Sequence, residues 1–196
     1  MKKILLLLAN GFESYEASVF TDVFGWNRYE GDQSTVLVSV GLHPVLDCTW
    51  GYSCVPMKLL KEINLTDFDA LAIPGGFEEA HFYEDAFSQD FLAVIRHFDQ
   101  QNKPIAAICV AGIAVAKSGV LRGRSGTTYR FDHNPRQAQM RAFDVNVKAN
   151  ERIVEDGNII TSASPETGLE VAFRLLTKLT SLENTVAVKR RMGFSN

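Results

Sequence analysis

The sequence has few of the residues from which small proteins build covalent or metal cross-links. Its 196 residues include three cysteines, four histidines and six prolines. Three cysteines are too few, and odd in number, for the disulfide framework of a small secreted protein. Cys48 and Cys54 have five residues between them and no adjacent histidine, a spacing unlike that of a zinc site. We therefore expect free thiols at these two positions and no bound metal.

Long apolar runs and an excess of one charge are also missing. Lys2-Lys3 and the apolar residues 4–8 resemble the start of a signal peptide, but the run is too short and turn residues follow Ala9. No stretch approaches the ~20 apolar residues of a membrane span. Twenty basic and 23 acidic residues give a net charge of −3, without a basic stripe for nucleic acid. These absences predict a cytoplasmic protein with no membrane or nucleic-acid partner.

What the chain does have is enough apolar residues, 46%, to bury a core within one domain over residues 1–196. Short apolar runs alternate with amphipathic segments along the sequence. The predicted strands are 3–9, 34–40, 69–73, 105–108, 144–149, 152–155 and 158–161, with a hairpin in 45–57 around Gly51. A first helix is predicted from a cap at Ser14 to Gly31, and further helices over 87–98 and over 110–117, the latter ended by Gly119. Another helix is predicted to start at Ser164-Pro165, and a short last one covers 183–191.

This alternation predicts parallel βαβ units and hence an open α/β sheet with helices on both faces. In such sheets the ligand crevice lies beyond the carboxyl ends of the strands. Residues 9–16, 74–76 and 109–110 reach that edge. Any chemistry is therefore expected where these three segments meet.

Cys109 gives the strongest local signal, because an apolar strand delivers it directly into the start of a helix. That arrangement is typical of a nucleophile elbow, a tight turn that raises one side chain above the sheet. The helix N-terminus favours the thiolate there. A cysteine in such a place can equally be a plain buried apolar residue, and position alone does not separate the two interpretations.

Two further features fall at the same sheet edge. Gly75 and Gly76 follow a buried strand and can turn their N–H groups towards a ligand, so that Gly76 and Val110 would form an oxyanion hole; a plain turn is the alternative.

Glu16 lies in the first helical turn. If it is partly buried, its raised pKa would let it donate a hydrogen bond to the Cys109 sulfur, whereas compensation of the helix dipole is the simpler interpretation.

Four ordered blocks together resemble the ThiJ/PfpI superfamily: ANGFESYEAS, AIPGGFEEA, AAICVAGIAVAKSGVLRG and IITSASPETGLEVA, within a match from about residue 3 to residue 193. The superfamily includes the Parkinsonism-associated deglycase and PfpI-type peptidases and is related to class I glutamine amidotransferases. The resemblance implies a flavodoxin-like three-layer sandwich with a mostly parallel sheet, and a homodimer. It also implies that Cys109 is the nucleophile, Glu16 its acidic partner and Gly76 the oxyanion glycine.

The sequence departs from each branch at the position of its imidazole. Val110 stands where PfpI-type peptidases carry a histidine directly after the nucleophile. Tyr129 stands where the deglycase branch has its histidine and, with Gly75, is a candidate pocket residue. Ser164 replaces the histidine of the amidotransferase element, and Trp50 replaces an arginine of the deglycase branch.

Of the chain's own histidines, His43 and His97 are expected at the surface. His81 and His133 are nearer to the predicted crevice, where a surface position is still the simpler interpretation.

Three functional hypotheses follow. The first is a cofactor-independent enzyme of the glyoxalase or deglycase type, in which Cys109 and Glu16 act on a small reactive carbonyl. The second is a non-enzymatic stress-response protein with an oxidisable Cys109. The third, a peptidase or amidotransferase-like hydrolase, is disfavoured by Val110 and Ser164.

Overall fold

The computed structural model describes residues 1–131 and 134–194. His133, one of the candidate imidazoles, therefore lies outside the described residues. The strands are β1 (Lys2–Leu8), β2 (Thr35–Gly41), β3 (Leu46–Asp47), β4 (Ser53–Cys54), β5 (Lys58–Leu59), β6 (Ala70–Ile73), β7 (Ile105–Ala107), β8 (Ser125–Gly126), β9 (Asn146–Val147), β10 (Ile153–Asp156) and β11 (Ile159–Ser162). The helices are α1 (Ser14–Glu30), α2 (Phe82–Ala86), α3 (Gln89–Gln100), α4 (Ala111–Lys117), α5 (Arg136–Arg141), α6 (Gly168–Leu179) and α7 (Leu182–Arg191).

The central sheet has the strand order β10-β11-β7-β6-β1-β2-β5 in the described part of the chain. Its neighbouring strands are parallel except for β10 and β11. β1 is an interior strand between β6 and β2 and is buried from Ile4 to Leu8, because a strand covered on both faces needs apolar residues at every position.

Helices cover both faces of this sheet. α1, α6 and α7 pack against one another, and α2, α3 and α4 form a second group. α3 and α6 each bury one apolar stripe, including Phe91 and Phe98 of α3 and Phe173 of α6. The result is the expected flavodoxin-like α/β sandwich. None of the described helices combines the length and the apolar character needed to cross a bilayer.

Several local predictions need correction. Glu13 occupies the N-cap of α1 and Ser14 is already helical, so the Ser14 hydroxyl does not cap the helix. The Ser164 hydroxyl makes no capping hydrogen bond either; Pro165 opens a 3₁₀ turn, and α6 starts only at Gly168. Pro165 supplies the fixed φ that starts a helical turn without help from a side-chain cap.

The predicted strand at 144–149 shrinks to β9, which pairs with β8 outside the central sheet. Asp144 adopts a left-handed φ of 62°, which an extended strand cannot accommodate. The hairpin around Gly51 is present but short, with only β3 and β4 paired. β5 continues from it to the edge of the central sheet, and α2 and α5 lie in segments for which the sequence predicted no helix.

Candidate active site

Cys109 lies in the connection from β7 to α4, at the carboxyl edge of the sheet. Its φ is 56°, in the left-handed region that non-glycine residues adopt only at a cost of about 1–2 kcal/mol. The turn points the side chain back over the sheet edge, and the residue is 5% exposed. This is the strained elbow that the strand-to-helix pattern predicts.

Glu16 belongs to the first turn of α1 and is completely buried. The Gly75 N–H donates a hydrogen bond of 2.5 Å to its Oε2 atom. Its Oε1 atom has no hydrogen-bond partner among the described residues. The carboxyl lies close enough to the Cys109 thiol for each group to shift the pKa of the other.

Burial raises the pKa of Glu16 to about 8, and the nearby Glu13 charge adds to this effect. A carboxyl with this pKa is mostly protonated at neutral pH. Burial and the charge of an ionised Glu16 raise the pKa of the Cys109 thiol, while the hydrogen bond from the Val110 N–H lowers it. When Glu16 holds the proton its charge is gone, so the thiolate form of Cys109 is favoured most in that state.

Gly75 and Gly76 are packed too closely for a side chain. A Cβ at Gly75 would lie 2.8 Å from Glu16 Oε2, and one at Gly76 would collide with the Gly11 carbonyl and come within 2.5 Å of the Phe82 ring. Gly76 also forms an isolated antiparallel bridge with Phe12. This bridge joins the Gly75-Gly76 turn to the β1–α1 connection that carries Glu16.

The bridge leaves the Gly76 N–H unused. Its two hydrogen bonds run from the Glu13 N–H to the Gly75 carbonyl (2.8 Å) and from the Phe77 N–H to the Gly11 carbonyl (3.3 Å). Among the described residues, none accepts a hydrogen bond from the Gly76 N–H. A free backbone donor beside a thiol is what an oxyanion hole requires.

A cavity of about 290 Å³ opens next to Cys109. Its described lining includes residues of the Gly75-Gly76 turn and of the Cys109 elbow, together with carboxyl, aromatic and polar side chains. The lining residues are Glu13, Gly76, Phe77, Glu78, Glu79, Cys109, Val110, Tyr129, Asn134, Arg136 and Pro165. The structure thus brings the predicted residues Cys109, Gly76, Val110 and Tyr129 to one cavity. Gly75 and Glu16 lie behind its wall.

The described histidines do not line this cavity. His43 contacts Asp85, with Nε2 2.9 Å from Oδ1, and His81 contacts Glu84, with Nδ1 2.9 Å from Oε1. His97 is half-buried on α3 rather than solvated as expected, and its Nε2 atom is buried without a described partner. Within residues 1–131 and 134–194, His, Cys, Asp and Glu form no cluster suited to a metal ion.

Cys48 and Cys54 are free thiols, as predicted, and their side chains interact across the hairpin. Burial, with the neighbouring Cys54, raises the pKa of Cys48 to about 11. Trp50, at the tip of the same hairpin, is exposed and contacts the Phe77 ring at a centroid distance of 5.1 Å. The hairpin therefore borders the cavity through Phe77.

Sequence reasoning missed Glu13 and Arg136 as cavity residues. Glu13 had a signal, because it belongs to the same connection as Glu16 and precedes it by one helical turn. Arg136 had none, because nothing in its segment indicated that α5 would place it beside Cys109. Its guanidinium contacts Glu78 at 2.6 Å and lies 4.9 Å from the centre of the Tyr83 ring.

Comparison with known proteins decides the family. The model of the DJ-1/PfpI family matches residues 2–178. The chain belongs to the DJ-1/PfpI family. This confirms the resemblance found in the sequence blocks.

The relatives cover most of the chain. The protein DJ-1alpha of Drosophila melanogaster is 30% identical over 97% of this chain and 83% of its own length. The deglycase PfpI of Pyrococcus furiosus is also 30% identical, over 83% of this chain and 90% of its own length. The crystal structure of Drosophila melanogaster DJ-1beta aligns with a TM-score of 0.84 and 26% identity over 100% of this chain and 99% of that one.

Proposed function

We propose that this DJ-1/PfpI protein is a cysteine-dependent enzyme of the glyoxalase or deglycase type that acts on small reactive carbonyl compounds. The observation that carries the proposal is the cavity that Cys109 lines, with the buried, protonatable Glu16 carboxyl close enough to interact with the thiol from behind the cavity wall. Three matching relatives from Pyrococcus species are named deglycases, which supports the same chemistry.

In the proposed first step the Cys109 sulfur adds to a carbonyl carbon. The S–C bond forms, the carbon–oxygen π bond breaks, and the thiol proton reaches the carbonyl oxygen by way of the Glu16 carboxyl. The product is a neutral hemithioacetal. The addition therefore creates no net charge, which suits a buried site. No external cofactor takes part.

Backbone donors would steady the oxygen as it gains charge. The Gly76 N–H is unused and faces no described acceptor, and the Val110 N–H already points at the sulfur. Donors held in place before reaction are worth several kcal/mol to a developing oxyanion.

The cavity favours this proposal over a purely redox function. Oxidation of a thiol by peroxide needs access for one small oxidant, whereas about 290 Å³ of lined space and an unused N–H suit an organic substrate. Val110 and the absence of a described imidazole at the cavity disfavour a peptidase.

The test is the consumption of methylglyoxal by four purified proteins: wild type, Cys109→Ser, Glu16→Gln and Cys54→Ser. We expect Cys109→Ser to be inactive and Glu16→Gln to lose about 100-fold or more, since it cannot carry the proton. Cys54→Ser is the matched control and keeps wild-type activity. Equal rates for wild type and Cys109→Ser, or no consumption by either, would refute the proposal.

We also propose a homodimer. α1 presents exposed Trp26 and Tyr29, and α7 presents exposed Leu182 and Val186; exposed apolar residues of this size are typical of association surfaces. Light scattering of the purified protein tests this, and a monomer mass at micromolar concentration would contradict it.

A further inference from the structure

The Glu13 side chain is the feature of the cavity that the proposed chemistry leaves unused. Glu13 is 8% exposed and lines the cavity together with Cys109. Its backbone N–H bonds to the Gly75 carbonyl, but its carboxyl accepts no hydrogen bond from the residues that the structure describes. The Glu13 oxygens are not among the buried atoms without a partner, so the carboxyl faces the cavity, where a group supplied from outside the chain can reach it.

The charges around Glu13 favour a cationic group. The cavity lining holds two further carboxyls, Glu78 and Glu79. Arg136 is the only Lys or Arg among the described lining residues, and it is engaged with Glu78 at 2.6 Å and with Gln139 at 3.0 Å. Glu13 and Glu79 therefore remain without a described basic partner.

Aromatic rings at the cavity add to this preference. Phe77 and Tyr129 line it, and Trp50 packs against Phe77 at its border. Aromatic faces attract organic cations, and attract them more strongly next to carboxylates. An anionic group would meet the same surfaces with repulsion.

We propose that the Cys109 cavity selects its substrates by charge, accepting cationic carbonyl compounds better than neutral ones and excluding carboxylated ones, with Glu13 as the specificity-determining residue. The inference rests on the proposed function only where it names carbonyl compounds as substrates. The selection by charge is a property of the cavity alone. It can therefore be measured without catalysis.

The test uses two methanethiosulfonate reagents of similar size, one with a trimethylammonium group and one with a sulfonate group. Each forms a disulfide with Cys109 and releases methanesulfinate. Mass spectrometry of the peptide that contains Cys109 gives each rate, and division by the rate with a free small thiol removes the reagents' intrinsic difference. One nearby carboxylate raises the encounter rate of a singly charged cation roughly threefold and lowers that of a singly charged anion by about the same factor. We therefore expect a normalised cation-to-anion rate ratio of about ten or more at low ionic strength.

Three variants separate Glu13 from general charge effects. Glu13→Gln is expected to lower the ratio by up to about tenfold, since it removes the effect on both reagents, and Glu79→Gln to lower it less, because Glu79 is exposed. Glu84→Gln, which removes an exposed carboxylate outside the cavity, leaves the ratio unchanged. Because the ratio compares two reagents on one thiol, a changed Cys109 pKa does not affect it.

The outcomes distinguish the two proposals. A ratio near one, or a ratio that Glu13→Gln does not change, overturns the charge selection even if methylglyoxal is consumed. A high, Glu13-dependent ratio supports it even if no carbonyl is consumed, in which case only the proposed function fails. Where methylglyoxal is consumed, the anionic aldehyde glyoxylate is expected to react at least about tenfold more slowly, and Glu13→Gln to narrow that gap.

Discussion

The Cys109 thiol and the Glu16 carboxyl meet at the sheet edge although 92 residues separate them in the chain. Each reaches that edge from its own βα connection, and Gly75 from a third connection binds the carboxyl from behind. Because each group shifts the pKa of the other, we expect the two to titrate as one unit. The proton that one loses is the proton that the other can hold.

This coupling predicts the pH dependence of activity. The reactive form of the pair holds one proton, so activity rises as the doubly protonated form loses its first proton. If only Glu16 could release this first proton, the pKa would be about 8. Because the thiol offers a second route for its release, the apparent pKa of the pair can only be lower. We therefore expect kcat/KM for methylglyoxal to rise with pH to a plateau, with an apparent pKa at or below about 8.

The profile is measured over the range in which the protein stays folded, with Glu16→Gln as the comparison. The plateau value of kcat/KM is expected to be about 100-fold or more lower in that variant than in the wild type. A rise centred well above pH 9, where an isolated buried thiol would titrate, would contradict the shared proton.

Glu16 also predicts a pH dependence of stability. Its pKa rises from 4.5 to about 8 on folding, so between these values the folded state binds more protons than the unfolded state. Stability therefore falls as pH rises through this window, by up to about 1.4 kcal/mol per pH unit, and becomes level above it.

Urea unfolding of Cys109→Ser, with and without Glu16→Gln, isolates this effect because serine does not titrate. The free energy of unfolding of Cys109→Ser, relative to the double variant, is expected to fall between pH 5 and pH 8. A difference that stays constant over this range would show that Glu16 is ionised in the folded protein at low pH.

Much of the fold could be predicted because the relevant signals are local. The buried strand from Ile4 to Leu8 is apolar at every position, and the stripe of α3 repeats at helical spacing. The site was predictable for a related reason: parallel strands place their carboxyl ends together, so Glu16 and Cys109 had to fall at one edge.

The features that could not be predicted from the sequence depend on contacts between distant parts of the chain. β5 and β8 contain two residues each, too few to show any periodicity, and they exist only because a neighbouring segment pairs with them. Arg136 reaches the cavity because Glu78 and the Tyr83 ring hold its guanidinium from another part of the chain. The Glu13 carboxyl could be placed near the site, but its lack of a partner is visible only in three dimensions.

Gly76 provides the last prediction. A methyl group there would press on the Gly11 carbonyl and the Phe82 ring, both part of the packed core rather than movable surface groups. Relieving that contact means breaking the bridge between Phe12 and Gly76, so Gly76→Ala is expected to destabilise the protein by about 1–3 kcal/mol. It is also expected to impair activity, because the bridge holds the β1–α1 connection against Gly76, the proposed oxyanion-hole donor.

The matched control is Gly25→Ala. Gly25 lies within α1 on the face with Trp26 and Tyr29, and a Cβ there would meet nothing within 4 Å in its own chain, so alanine is expected to stabilise the monomer by about 0.5–1 kcal/mol. Urea unfolding of both variants gives the two changes with opposite signs. If Gly76→Ala were as stable as wild type and fully active, the close packing around Gly76 would play no part in holding the site together.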